Sequence, residues 1–596
     1  MNKEKLWEKA RRWLKKHNLW GLWVPGTDPH FSEYLPVNWR LRESLTGFTG
    51  SAGQVLITQD MVGLWTDSRY HLQGESQLAG SGVQLFKDGL AETPTLLGYL
   101  LTQAPSEAVI AVDTRTVSRS AYQETSLKLQ EKGLHLDETL GPFSAEDFPP
   151  GQFHPIWDFE NQVPGSPTNI LRPVSNRAIE KRRSKLQRLT AYLQENKASA
   201  TAFTNLDEIA WLLNIRGEDI AYNPLALSYF YWENQARGIL FCRSGAIDGP
   251  LAAELKAMNI SLRPYEDFFF FMKDKVLFLD PQRTPAALWT STETIGLPSW
   301  PALEKRCKSP EETQGMRSAQ DKDAVAMIEF LAWLHQAPAK TTEMEVSAKL
   351  LEVRTAQQGF LMESFESIVG AGDHGAIIHY AVNEQSNRPI GNHGFLLVDS
   401  GGHYLEGTTD ITRTVPVGPL SDSEKKHYTL VLKGHIRLAR YPFPRGTKGY
   451  QLDTLAREDL WSNRMNYGHG TGHGVGHVLG VHESPPRISP APLNMDIEPG
   501  MILSNEPGYY REGKYGIRLE NLILCRPDDP GWLRWETLTY VPFSPEAVLP
   551  NLLTSEEKDW LRDYHSETQS RYGKRLTASA RVWLDKTTKT WSKLLS

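Results

Sequence analysis

Phe395-Leu-Leu-Val-Asp-Ser-Gly401 and Thr408-Thr-Asp-Ile-Thr-Arg-Thr414 decide how this chain reads. Each is a short strand-like run carrying an acidic side chain, Asp399 and Asp410, and Gly402 to Gly407 between them reads as a connecting turn. A hairpin of that form brings both carboxylates to one region. Further potential ligands follow downstream: His473 in the loop His469-Gly-Thr-Gly-His-Gly-Val-Gly476, Glu506 after the strand Met501-Ile-Leu-Ser-Asn505, and Glu520 within Gly516-Ile-Arg-Leu-Glu-Asn521. The loop glycines let the backbone pass close to something bound. Arg518, two residues before Glu520, falls on the same strand face by the two-residue period and is placed to orient a ligand or substrate.

Four carboxylates and one imidazole without a thiolate are hard to borderline donors. They favour manganese, cobalt, iron or zinc over a structural cysteine-zinc site. Such a set, with carboxylates able to bridge, suits a pair of ions roughly 3.5–4 Å apart. A pair of that kind lowers the pKa of a water held between them, so that hydroxide is available near neutral pH, and polarises a carbonyl. The chain contains no HExxH, GxSxG or GxxxxGK[ST], which removes the zincin, serine-hydrolase and nucleotide-loop readings.

Outward from this cluster, the region beyond residue 310 reads as helices followed by short strands, Phe395 to Val398, Thr409 to Val415, Met501 to Ser504 and Ile517 to Leu524, an α+β unit. Ser309, Pro310 and Glu312 supply an N-cap, an N1 proline and the carboxylate of a capping box. The helix they start carries Met316, Ala324, Met327, Ile328, Leu331 and Leu334 at helical spacing, one face packing on the sheet. A second cap, Thr554 with Glu557, opens a tail helix through Trp560, Leu561 and Tyr564 that packs back on this unit.

Upstream, seven prolines between Pro142 and Pro173 read as a linker, because that density breaks both helices and central strands. On either side, strand-like runs (Gln54 to Ile57, Gly63 to Thr66, Val276 to Leu279) alternate with charged helical stretches such as Ala178 to Asn196, an α/β pattern. A faint echo between Leu45-Thr-Gly-Phe-Thr-Gly-Ser-Ala-Gly53 and Leu212-Leu-Asn-Ile-Arg-Gly217 suggests that the two N-terminal units are related. The expected division is 1–155, 156–308 and 309–596, the last with a C-terminal helical extension.

Composition agrees with a multidomain globular protein: 596 residues, 40% hydrophobic and 23% charged. A formal charge of −6 leaves no broad basic face for nucleic acid. Three widely spaced cysteines form neither a disulfide framework nor a metal clip, which points to a reducing, cytoplasmic setting. No run reaches the roughly 18 apolar residues of a membrane span, so a soluble chain is expected. The basic, amphipathic N-terminus, Lys3 to Lys16, lacks a signal-peptide core; it reads as the first surface helix of a domain rather than as a presequence or membrane-surface helix.

The segments Gly375-Ala-Ile-Ile-His379-Tyr380, Asp399-Ser-Gly401, Gly407 to Thr414, His469 to Gly476, Val481-His-Glu483, Asn505-Glu-Pro-Gly-Tyr-Tyr510 and Gly516 to Asn521 resemble those of the three-domain aminopeptidase P family, metallopeptidases with the pita-bread fold. Ser32-Glu-Tyr34, Leu45 to Gly53, Trp65 to Tyr70 and Leu206 to Gly217 resemble its two creatinase/prolidase-type N-terminal domains, so the likeness covers nearly the whole chain. It departs locally at Val417-Gly418 and around His477, away from every ligand.

By that resemblance Asp399 binds one metal, His473 and Glu506 the other, and Asp410 and Glu520 bridge both. It implies two divalent ions per chain, manganese first with cobalt or zinc as alternatives, and a hydroxide bridging them that attacks the bond before a proline at position two. Glu506 then takes the role of base, His379 and His482 lie over the scissile bond, and His469 lines the proline pocket. Arg69 binds substrate, and the chain forms a homodimer. Within the same fold a dipeptide-restricted prolidase, a methionine aminopeptidase and an inactive peptide- or histone-binding module are the alternatives; the presence of all five ligands weighs against the last.

Overall fold

The computed structural model describes residues 3–138, 141–143, 154–165, 170–173, 179–290 and 293–596. Residues 144–153 and 166–169 of the expected proline-rich linker, and the start of the expected Ala178 to Asn196 helix, lie outside the described residues. The chain divides into two compact units, Met1–Leu303 and Glu304–Ser596.

The first unit contains two sheets whose shared plan explains the faint sequence echo. In one, Gly21–Val24, Gln54–Thr58 and Val62–Thr66 pair antiparallel in that order and Gln84–Lys87 adds in parallel, while Val109–Val112 and His135–Glu138 extend the other edge. In the other, Ala200–Phe203, Ser228–Glu233 and Arg237–Cys242 pair antiparallel and Ile260–Pro264 adds in parallel. A helix precedes each first strand (Lys3–Lys16, Arg182–Glu195), and another separates the third strand from the fourth (His71–Leu78, Gly249–Ala257). Between first and second strands lie Leu41–Thr46 and Leu206–Leu213, each ended by a left-handed residue, Gly47 or Asn214. The two echoing stretches begin at the ends of these matching helices.

Leu6, Ala10 and Leu14 of the N-terminal helix bury against Leu22, Val55, Ile57 and Leu64 of the first sheet, so its apolar stripe is used inside the unit. The expected strand at Val276 to Leu279 shortens to Phe278–Leu279. All three cysteines are free.

The second unit opens with Pro310–Leu334, carrying the capping box of Ser309 and Glu312. The expected apolar stripe is buried, but so are Ala319, Gln320, Asp323, Ala326 and Phe330, so more than one face of this helix is covered. Asp323 is tolerated there because Arg354 donates to it at 2.8 Å and the Tyr404 hydroxyl at 2.8 Å. The helix packs with Val369, Leu396, Val398 and Ile411 of the sheet and with Leu584 of the C-terminal helix Ala578–Leu594. Thr554 and Glu557 form the second capping box, and Ser555–Tyr572 buries Leu561 and Tyr564 against Phe395, Tyr428 and Ile517.

Two sheets carry the acidic residues. Ile368–Ala371, Phe395–Ser400 and Ile411–Pro416 form one. The other runs in the order Phe443–Pro444, Trp532–Thr537, Asn521–Pro527, Ile502–Asn505, Gly472–Gly474, Glu483–Ile488. The strands Gly508–Arg511 and Tyr515–Arg518 pair as a separate hairpin. Among the described residues no helix is long and apolar enough to cross a membrane.

Candidate metal centre

The expected Asp399 to Asp410 hairpin is present, with Asp399 opposite Thr412 in the antiparallel pair. Its connection is more than a turn, since Gly402–Tyr404 pairs with both Gly407–Thr408 and Phe360–Glu363 as a small separate sheet. That extra ladder anchors both ends of the loop and holds Asp410 just before the return strand, which starts at Ile411.

His473 sits in a three-residue strand rather than a loop. A Cβ at Gly472 would lie 2.0 Å from the Ser504 carbonyl oxygen, so glycine there lets two strands close up rather than making room for a ligand. Gly516 does the same for His379: a Cβ would meet the Gly375 oxygen at 1.7 Å, and this close approach seats the Gly372–Ala376 turn, with His379 just beyond it, on the strand Tyr515–Arg518. Arg518 Nη2 also donates to the Ile378 carbonyl at 3.3 Å.

Ligand atoms of Asp410, His473 and Glu520 lie within 4.8 Å of one another. His473 Nε2 is 3.4 Å from Asp410 Oδ2 and 3.7 Å from Glu506 Oε1. Asp399 joins the group through Arg518, whose Nη2 donates to Oδ2 at 2.6 Å. The five expected ligands thus converge, with the His482 ring 4.3 Å from that of His473 and His469 Nδ1 3.9 Å from Glu506 Oε2.

The expected single strand through Arg518 and Glu520 is corrected by the structure. It breaks at Arg518, and Leu519–Glu520 cross to the next strand, Asn521–Pro527. Both side chains still reach the site because each meets Thr412: Arg518 Nε donates to its Oγ1 at 3.3 Å, and that hydroxyl donates to Glu520 Oε2 at 2.7 Å. Arg69 lies in the first unit, where it forms a two-pronged pair with Asp67 (2.9 and 2.7 Å).

Two residues at the site escaped the sequence reading. Thr412 lies two residues after Asp410, and the two-residue period applied to Arg518 finds it as well. Tyr510 follows Glu506 by four residues on the hairpin; its hydroxyl accepts from Arg518 Nη1 at 2.7 Å and contacts His469 Nε2 at 2.8 Å. Burial raises Tyr510 to about 12 despite Arg518, so the hydroxyl keeps its proton and donates it to His469. His469 Nδ1 is then the protonated nitrogen, donating to the Gly470 carbonyl at 2.7 Å.

The cluster is short of positive charge. Burial raises Asp399, against Arg518 and with Asp410 adding to the rise. Burial raises Glu506 although His473 and Arg518 pull it down, and burial with Asp410, Asp399 and Glu506 lifts Glu520 well above the carboxylate range. Burial lowers His473, but the hydrogen bond to Asp410 and the charges of Glu506 and Asp410 outweigh it and raise the imidazole to about 9. Asp399 Oδ1 is buried without a hydrogen-bond partner. Orphaned oxygen, excess carboxylate and an oxygen–imidazole donor set all fit divalent cations.

Comparison with known proteins agrees with this geometry. Residues 314–527 match metallopeptidase family M24, residues 531–591 the C-terminal region of the M24 peptidases, and residues 7–142 and 162–312 two creatinase/prolidase N-terminal domain models. The chain is 35% identical to Xaa-Pro aminopeptidase 1 of Dictyostelium discoideum, covering 94% of this chain and 91% of the relative. It is 32% identical to aminopeptidase P1 of Lotus japonicus over 95% and 96% of the two chains. The crystal structure of X-prolyl aminopeptidase from Caenorhabditis elegans, described as a cytosolic enzyme with a di-nuclear active site, superposes with a TM-score of 0.91 at 31% identity over 99% of each chain. Fold and site together define a metallopeptidase of family M24, with creatinase-type N-terminal domains and a pita-bread C-terminal domain. Within it the chain belongs to the Xaa-Pro aminopeptidases, metal-dependent exopeptidases.

Proposed function

We propose that this chain removes the first residue of peptides whose second residue is proline, using two divalent ions held by Asp399, Asp410, His473, Glu506 and Glu520. The observation that carries the proposal is the convergence of those side chains with a deficit of positive charge. When bound, the ions acidify a water and polarise the scissile carbonyl. We assign Asp399 to one ion, His473 and Glu506 to the other, and Asp410 and Glu520 to both. Manganese is the first choice, cobalt or zinc the alternatives.

In this reading Glu506 accepts the proton released as the nucleophile forms, general-base work by a carboxylate. What supports it is burial among other acids, which makes a proton welcome. His379 and His482 orient the scissile carbonyl and stabilise the charge that develops on its oxygen, or pass a proton to the departing imino nitrogen of proline. That nitrogen carries no hydrogen before cleavage, so the site needs a donor to the leaving group rather than an acceptor from it. His469 lines the pocket for the proline ring, held by Tyr510. Arg518 fixes one oxygen of Asp399 and leaves the other for the metal, and we assign Arg69 to substrate binding.

We further assign domains to 1–155, 156–308 and 309–596, a homodimer as the assembly, and the cytoplasm as the location. Three free cysteines and the cytosolic description of the worm enzyme support the last of these. Elemental analysis of protein purified without chelator tests the metal assignment. About two divalent ions per chain are expected; none bound, with no activation by added Mn2+, would turn the reading toward a peptide-binding module.

A further inference from the structure

The helix Gly449–Ser462 contributes nothing to the ligand set, yet it buries an ion pair on its inner face. Asp453 and Arg457 stand one turn apart, with Arg457 Nε donating to Asp453 Oδ2 at 2.6 Å, and Arg457 is only 1% exposed. We propose that Arg457, held by Asp453, is a positioning residue that sets His469 in the proline pocket. The inference rests on the pocket role given to His469 above.

An irregular stretch of chain runs between the helix end and the strand Gly472–Gly474. Asn466 to Thr471 form neither helix nor strand, so their buried polar groups have no regular ladder to satisfy them. Arg457 fills that place. Nη1 donates to Asn466 Oδ1 at 2.8 Å and to the Tyr467 carbonyl at 2.7 Å, and Nη2 donates to the carbonyl of His469 itself at 2.7 Å. Its guanidinium carbon lies 3.7 Å from the centre of the Tyr467 ring, a cation–π contact in a desolvated place.

Asp453 secures the other side of His469. Its Oδ1 accepts from the Thr471 hydroxyl at 2.6 Å, and that hydroxyl also meets the hydroxyl of Tyr467. The Thr471 carbonyl in turn accepts the backbone N–H of Glu506 at 2.8 Å. One buried pair therefore clamps the chain before and after His469 and ties it to the strand end that carries the base. The His469 ring makes its own bonds to Gly470 and Tyr510, but these select a ring orientation only if the backbone is already in place. A fork of planar donors reaches several oxygens at fixed angles, which a lysine ammonium does not reproduce.

The test is a double-mutant cycle on a Xaa-Pro-Xaa tripeptide with Arg457→Lys, His469→Ala and the double variant, each with bound metal measured. Arg457→Lys should lower kcat/KM roughly 10- to 100-fold, mostly through KM, since misplacement of about 1 Å has effects of that order. Metal content should not change. In the His469→Ala background the same substitution should produce little further loss, because the clamp then has nothing to place. Multiplicative losses in the double variant, or near-normal kinetics for Arg457→Lys beside a damaged His469→Ala, would overturn the inference. Unchanged kinetics for His469→Ala alone would remove the pocket reading and this inference with it, a result distinct from the other two. If Arg457→Lys folds poorly, Asp453→Asn loosens the same fork at equal volume and should show the same non-additivity.

Discussion

Neighbouring residues on the same stretches of chain face two buried polar regions that behave in opposite ways. Asp410, Thr412, Glu506 and Glu520 turn toward the carboxylate cluster, while Arg413, Asn505 and Asn521 turn toward the layer behind it, as alternation along extended chain requires. Behind, the protein supplies nearly all of the partners itself, although Asn505 Oδ1 is buried without one. Arg413 Nη1 donates to the Thr412 carbonyl at 2.9 Å, and Nη2 to Asn521 Oδ1 and the Val541 carbonyl at 2.8 Å each and to the Tyr564 hydroxyl at 3.1 Å. His435 contacts the Asn505 carbonyl at 3.1 Å and Asn521 Nδ2 at 3.2 Å, so it is neutral with its proton on Nδ1. In front, carboxylates crowd one imidazole and one guanidinium. A polar region with no crowded like charges is scaffold; one left with unbalanced charge awaits a ligand.

The contrast breaks most sharply at Glu506. Glu506→Gln keeps the shape and removes the proposed base, so kcat on a Xaa-Pro peptide should fall roughly 10²- to 10⁴-fold, while calorimetric titration still detects substrate binding. Activity near normal would take the base role away from Glu506.

Behind the site the expected damage is to stability. Arg413→Met orphans several buried acceptors, each costing about 1–3 kcal/mol, so denaturant unfolding should show a loss of about 3 kcal/mol or more even with saturating Mn2+. A loss below about 1 kcal/mol would mean that water replaces the guanidinium and that the rear layer is less closed than drawn.

Metal binding separates the two faces by pH. In metal-free protein the raised pKa values of Asp399, Glu506 and Glu520 favour their protonated forms. Their contribution to stability is therefore present at low pH and is lost as pH rises through those elevated values. A cation then replaces the departed protons. The gain in melting temperature on adding Mn2+ should grow with pH until His473, raised to about 9, has also lost its proton. A gain independent of pH would contradict the charge deficit.

The smallest effect concerns two buried histidines, His435 of the rear layer and His565 of the helix Ser555–Tyr572, whose Nε2 accepts from the Phe543 backbone N–H at 3.3 Å. Burial, with Arg413 adding, lowers His435 from 6.5 to about 3, and burial lowers His565 to about 3. A depressed histidine stabilises the fold above its unfolded value, and that contribution is lost as pH falls from about 6.5 toward 3. Acid unfolding should begin in that interval with metal absent, and NMR should show both rings neutral until the protein unfolds.

The sequence made the front face legible and the rear one nearly invisible, for a physical reason. Metal ligands must be particular residue types, so the proposed set Asp399, Asp410, His473, Glu506 and Glu520 stands out by chemistry. Arg413 and Arg457 work by donating to backbone carbonyls, which every residue carries, so nothing in the sequence marks their partners. Local signals did well wherever the cause was local, as with the two capping boxes. They did less well where a distant strand decided the outcome: the His473 loop became a strand because Gly472 admits the Ser504 carbonyl, and the strand expected from Ile517 to Leu524 broke at Leu519–Glu520.

Removal of the first residue from proline peptides is the activity proposed for the front face. The most direct measurement is the rate of release of the first residue, with Mn2+ present, from Xaa-Pro-Xaa, Xaa-Ala-Xaa and Xaa-Pro in parallel. Rapid release from the Xaa-Pro tripeptide is expected, with release from the alanine analogue slower by about tenfold or more. Cleavage confined to the Xaa-Pro dipeptide, or equal rates on both tripeptides, would contradict that activity.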